Sequence, residues 1–133
     1  MRAIVLVVSV IAAFFAGSDI QGRLLVIEGQ PPVLQVQGRD VPLTSARRPV
    51  AATLHDARIS GKELRLVGRA TPAGGFDVDV FYVVRPDGSL HRLVYFCSTC
   101  NITRFAPGQC ECCQQPMVPI EIAPNDPRVA RDD

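Results

Sequence analysis

All five cysteines of this 133-residue chain fall between Cys97 and Cys113. They make two Cys-x-x-Cys pairs, Cys97/Cys100 and Cys110/Cys113, separated by nine residues, with Cys112 as a fifth thiol. A Cys-x-x-Cys turn aims both sulfurs at one point, and two such turns supply a tetrahedron of thiolates about 2.3 Å from a zinc ion. Pro107-Gly108 turns the chain back just before the second pair. The commonest double-knuckle spacing leaves roughly 15–20 residues between pairs, so this loop has to be tight. An odd number of thiols leaves one over in any disulfide scheme, which suits metal better than pairing. Structural disulfides and a reversible dithiol stay open as alternatives, because an exported chain meets an oxidising compartment. Against a catalytic dithiol, only Arg104 is close in sequence, and the first pair follows a strand rather than opening a helix.

The residues around the cysteines are Tyr95-Phe96-Cys97-Ser98-Thr99-Cys100, then Pro107-Gly108-Gln109-Cys110-Glu111-Cys112-Cys113, then Met117-Val118-Pro119. Residues 95–121 resemble the small heavy-metal-binding domain of bacterial metal-efflux proteins and copper-transporting ATPases, and more generally a short zinc ribbon. That domain reads as an aromatic-led Cys-Pro-Met-His, then Pro-Gly-x-Cys-Pro-x-Cys-Gly-Met, then Leu-x-Pro. Cys97, Pro107, Gly108, Cys110 and Cys113 match in place, and Cys100 stands where the family has His. Ser98 and Thr99 replace Pro and Met, Gln114 replaces Gly, and Met117 lies two positions late. The resemblance implies metal binding rather than transport, and carries over a four-thiolate centre. Cys112 and Met117 are candidates for an additional metal-binding or redox role. Zinc is the expected occupant; Cu(I), which favours soft sulfur donors, and an iron–sulfur cluster are the alternatives.

The chain opens with Met1-Arg2 and then Ala3 to Ala16, a run in which only Ser9 is polar. As a helix those residues would span about 21 Å, short of the roughly 30 Å hydrocarbon core of a bilayer. With Ala16-Gly17-Ser18 following, the pattern predicts a secretory signal peptide over residues 1–18 and a mature start near Asp19. An uncleaved membrane anchor through residues 3–16 is the alternative, favoured by Phe14 and Phe15 beside the cleavage site. The protein is therefore expected in the periplasm, or on the inner membrane facing it.

Between Asp19 and Phe96 no 3.6-residue periodicity is sustained. Short apolar runs, Leu24 to Ile27 and Val33 to Val36, are broken by Gly29-Gln30-Pro31-Pro32 and Gly38-Arg39-Asp40. Glu63 to Val67 and Phe76 to Val80 alternate as half-buried strands do. Pro86-Asp87-Gly88 is a strong turn, and Leu90 to Phe96 is the return strand of a hairpin. Val50 to Arg58 fits either a strand or a short helix. The expected fold is mainly β: a small antiparallel barrel or sandwich, with the oligonucleotide/oligosaccharide-binding (OB) barrel as the specific guess, over residues 19–96. A cysteine ribbon over 97–122 and a flexible tail over 123–133 complete the expected organisation.

Composition narrows the function. Fourteen basic against 13 acidic groups is too balanced for a phosphate-binding surface, and the few aromatics are not interleaved with basic residues. Nucleic acid is not an expected partner; a metal ion is, and the sequence names no protein partner. His55, His91 and the Asp77/Asp79 pair are each more simply a solvent-facing residue than a ligand or base. No nucleophile elbow, phosphate loop or His-Glu-x-x-His motif occurs. A non-catalytic exported metal-binding protein is the expectation, and a periplasmic thiol–disulfide or Cu(I)-handling protein is the alternative.

Overall fold

The computed structural model describes residues 18–129. The apolar segment 3–16, with its expected helix and its role as leader or anchor, lies outside the described residues, as does the tail from 130. Among the described residues no helix is long and apolar enough to cross a membrane.

The expected mainly β, antiparallel architecture is present as one sheet of eight strands. They are β1 (Ser18–Leu25), β2 (Val33–Val36), β3 (Arg39–Thr44), β4 (Glu63–Ala70), β5 (Phe76–Val84), β6 (Leu90–Cys97), β7 (Ile102–Arg104) and β8 (Val118–Ile122). β1 lies between β2 and β4, β2 pairs with β3, and β4 with β5, all antiparallel. β3 then meets β5 in parallel through Leu43↔Phe76 and Thr44↔Asp77. The pairings thus run β1-β2-β3-β5-β4 and return to β1. Where the strands crowd, glycine is required: a Cβ on Gly22 would sit 2.1 Å from the Gln35 carbonyl oxygen, and one on Gly68 1.9 Å from that of Asp77.

Against this sheet Leu24, Leu34, Leu43, Leu64, Leu66, Phe76 and Val78 form a buried hydrocarbon core. The ambiguous stretch after β3 is helical: α1 (Arg48–Leu54), then a single 3-10 turn over Ala57–Ile59. Pro49 sits in the first turn of α1, where a missing N–H leaves no bond unmade. α1 and the turn add Val50, Leu54 and Ile59 to the core.

The alternation expected of β5 fails halfway, and for a local reason. Val67 pairs with Val80 but Gly68 with Val78, so Asp79 is an extra residue, a β-bulge. The bulge shifts the inward phase from Phe76 and Val78 to Phe81 and Val83, leaving Val80 only half-buried.

β6 joins two halves of the molecule. Its start pairs with β5 at Val84↔Leu90 and Val83↔His91. Its remainder is flanked by β8, from Arg92↔Ile122 to Phe96↔Val118, and by β7, from Tyr95↔Arg104 to Cys97↔Ile102. One strand therefore runs from the hairpin directly into the first cysteine. Beyond β8, Arg128 pairs with Asp126 and stacks its guanidinium over the Phe96 ring at 5.7 Å.

Candidate metal centre

Each cysteine pair rides a tight turn at one end of the β7-β6-β8 ribbon. Cys97 is the last residue of β6, Cys100 lies in the turn, and Cys97↔Ile102 closes the ladder behind them. Opposite, Gln109↔Pro116 forms an isolated bridge. Within it the Cys110 amide donates to the Gln115 carbonyl and the Gln114 amide to the Cys110 carbonyl, both at 2.8 Å. The two turns share a backbone device: Asn101 and Gln114, each directly after the second cysteine of its pair, have φ of 53° and 60°. In each turn the chain thus passes through the left-handed region directly after the second cysteine.

The four sulfurs of Cys97, Cys100, Cys110 and Cys113 lie within 4.8 Å of one another. The Cys97 and Cys113 sulfurs are 3.5 Å apart. A tetrahedron of sulfurs around zinc has edges of about 3.8 Å, so the quartet fits with small adjustments, whereas a disulfide needs about 2.05 Å. All five cysteines are free thiols. Cys97 and Cys110, the first of each pair, are buried, Cys100 and Cys113 half-buried.

The surroundings already stabilise negative sulfur at one position. Backbone amides of Cys113 and Cys112 point at Cys110 and lower its thiol pKa to about 7. Cys97 receives the amide of Cys100, yet burial and the thiols of Cys113 and Cys110 leave its pKa raised overall. Cys100 is pushed up by the neighbouring Cys112 thiol first, and then by burial. Sulfurs this close cannot all ionise unaided; a cation at their centre removes the conflict. The donor set therefore suits a soft or borderline metal ion.

The additional candidates separate. Met117 is 1% exposed and packs with Tyr95, Cys97 and Cys110. Cys112 is exposed and stands outside the quartet. His55 is exposed with Nδ1 on the Ala51 carbonyl, 2.7 Å away, and His91 Nδ1 faces Ser89 Oγ at 3.4 Å. Asp77 accepts from Thr44 Oγ1 at 3.1 Å. Neither histidine belongs to the cysteine cluster.

Sequence reasoning missed what anchors the centre to the rest of the protein. The hydroxyl of fully buried Tyr95 donates to Asp56 Oδ2 at 2.7 Å. Arg58 grips the same carboxylate through Nε and Nη2, donates through Nη1 to the Met117 carbonyl at 2.8 Å, and lies over the Tyr95 ring. Arg104 pairs with Glu111, tying β7 to the second turn. The only sequence signal for the first link is Asp56-x-Arg58 itself, whose Asp56 side chain caps the 3-10 turn by accepting from the Arg58 amide.

Comparison with family models, curated proteins and solved structures gives no match to this chain. None of them confirms a zinc ribbon or a heavy-metal-binding domain, and what stands is the cluster of four cysteines within metal-binding distance.

Proposed function

We propose that this chain is an exported or membrane-anchored, non-catalytic metal-binding protein. In this reading a zinc-ribbon-like double knuckle holds structural zinc on Cys97, Cys100, Cys110 and Cys113, and is mounted on a small OB-type barrel. The mutual approach of four sulfurs within 4.8 Å, from turns nine residues apart, carries the proposal. Four thiolates satisfy a tetrahedral ion and leave no open position for water or substrate, which favours a structural or sequestering role over hydrolysis. The barrel reading draws support from the circuit of strand pairings, its parallel β3–β5 contact and the helix between β3 and β4. Export draws support from the charged, then apolar, then small-residue order of residues 1–18.

Metal analysis of freshly purified protein tests the centre. One zinc per chain is expected, and Cys97→Ser or Cys113→Ser should release it. Protein that arrives metal-free, with all four thiols open to alkylation, would falsify the proposal.

A second reading, Cu(I) handling or thiol–disulfide exchange, is favoured by exposed Cys112 beside the quartet and by Met117 packed against it. Stoichiometric Cu(I) displacing zinc under a competing Cu(I) chelator, or a reversible two-electron couple with metal bound, would support it.

A further inference from the structure

The pairing path of the sheet ends on β7, whose outer side has no strand partner among the described residues. The ribbon's other margin is closed. β8 carries Pro119, which has no N–H to offer, Arg58 takes the Met117 carbonyl just before it, and Lys62 and Arg85 both hold Glu121. β7 (Ile102-Thr103-Arg104) has no proline, and an open cleft of about 470 Å³ lies between it, Pro49 of α1 and Arg128. Thr53 Oγ1 of α1 donates to the Phe105 carbonyl at 3.4 Å, which fixes the far end of that wall. A narrower recess shares Pro49 and Phe105 with the cleft and is lined further on by Arg47 and Arg92. The two form one track, with Arg104 and Arg128 in one part and Arg47 and Arg92 in the other. No carboxylate lines either part.

We propose that this track is a docking site for an acidic peptide segment of a partner protein, which adds to β7 as an extended strand. Backbone pairing along a sheet edge supplies affinity for any extended chain, and the arginines select an acidic one. Arg47 donates to the Asp79 carbonyl at 3.0 Å, a neutral acceptor that leaves its charge uncompensated. Arg104 pairs with Glu111, whose side chain is 73% exposed, and such an exposed ion pair exchanges at little cost. Arg92 lies over the Tyr82 ring, and Arg128 stays with Asp126. Apolar side chains of the incoming strand would cover Pro49, Ile102 and Phe105. A second copy of this chain is the poorer occupant, because two β7 edges brought together would also bring two sets of arginines together.

The probe is a short fluorescein-labelled peptide of alternating glutamate and valine, titrated into the full chain and followed by anisotropy while amide hydrogen exchange is read in parallel. The expected result is saturable binding, with exchange slowed at residues 102–105 and unchanged along β1 and β4. Arg104→Gln and Arg47→Gln should each weaken binding about tenfold, the loss of one charge-assisted hydrogen bond. Arg104→Gln also removes the partner of Glu111, so Arg47→Gln, remote in sequence from both cysteine turns, keeps the test valid if the second turn loosens. Equal binding of a lysine–valine peptide, undiminished binding by both variants, or slowed exchange at β3 or β8 in place of β7 overturns the proposal. So does complete displacement by inorganic phosphate, which would make the track a small-anion site. A dimer of this chain that itself slows exchange at 102–105 would make the occupant a second copy and overturns it as well.

Discussion

The two ends of β6 are held by different physics. Around β1 to β5 the buried set is hydrocarbon, from Leu24, Leu34 and Leu43 through Leu64, Leu66 and Phe76. Around β7 and β8 the buried set is Tyr95, Cys97, Cys110 and Met117, edged by Cys100, Ile102 and Cys113. In the first region each buried Leu or Phe contributes about 1.5–3 kcal/mol. In the second, two of the four buried residues belong to the cysteine quartet, and zinc held there as proposed would supply about 10–16 kcal/mol of apparent binding free energy. One continuous strand thus links a half that should answer to denaturant with a half that should answer to chelators.

Removing the proposed metal is the harshest way to break that comparison. A strong chelator, or Cys110→Ser, should strip amide protection from residues 98–117, including the Cys110, Gln114 and Met117 amides that bond within the second turn. The β1–β4 ladder, from Ser18↔Gly68 to Arg23↔Glu63, should keep its protection. Native-state hydrogen exchange reads both at once, and equal loss in the two regions would show that they fold as one unit.

The converse change is smaller. Phe76 is 2% exposed and sits where β5 meets both β3 and β4. Phe76→Ala should cost about 3–5 kcal/mol in urea unfolding without altering zinc content. Loss of zinc from a folded Phe76→Ala protein would mean that the ribbon depends on the hydrocarbon core more than its own contacts indicate.

The same contrast decided what was legible in the sequence. The clustering of Cys97, Cys100, Cys110 and Cys113 could be read residue by residue, because metal chemistry imposes spacing that survives without knowledge of the fold. β2 and β5 could be read because Gly, Pro and apolar runs bound them at Val33–Val36 and Phe76–Val84. Other features were hidden for definite reasons. The Asp79 bulge leaves no mark, since Val80-Phe81-Tyr82-Val83 is apolar or aromatic at every position and fits either phase. α1 is seven residues long and has no side-chain cap, too little for a 3.6-residue pattern to emerge. The turns after each cysteine pair use Asn101 and Gln114 where glycine would have signalled positive φ. The Tyr95–Asp56 bond spans 39 residues, and only the folded chain brings its ends together.

That bond supplies the smallest and most selective test, because it joins the two halves. The Asp56 carboxyl is nine-tenths buried. Burial alone would raise its pKa, but hydrogen bonds from Arg58 and Tyr95 more than offset this and hold it below the ordinary value. A carboxyl with a depressed folded-state pKa stabilises the fold fully above its unfolded value, about pH 4, and loses that contribution as pH falls through the lower folded value. Asp56→Asn should therefore cost about 1–3 kcal/mol near neutrality, since it weakens charge-assisted hydrogen bonds. The gap between the two proteins should shrink below about pH 4. Acid also protonates the thiolates and releases metal from both proteins, so the difference between their unfolding curves is the quantity to follow. A gap that stays constant from neutrality to pH 2 would mean that the carboxylate's charge does not hold the ribbon to the body, and that Tyr95 is retained there by packing alone.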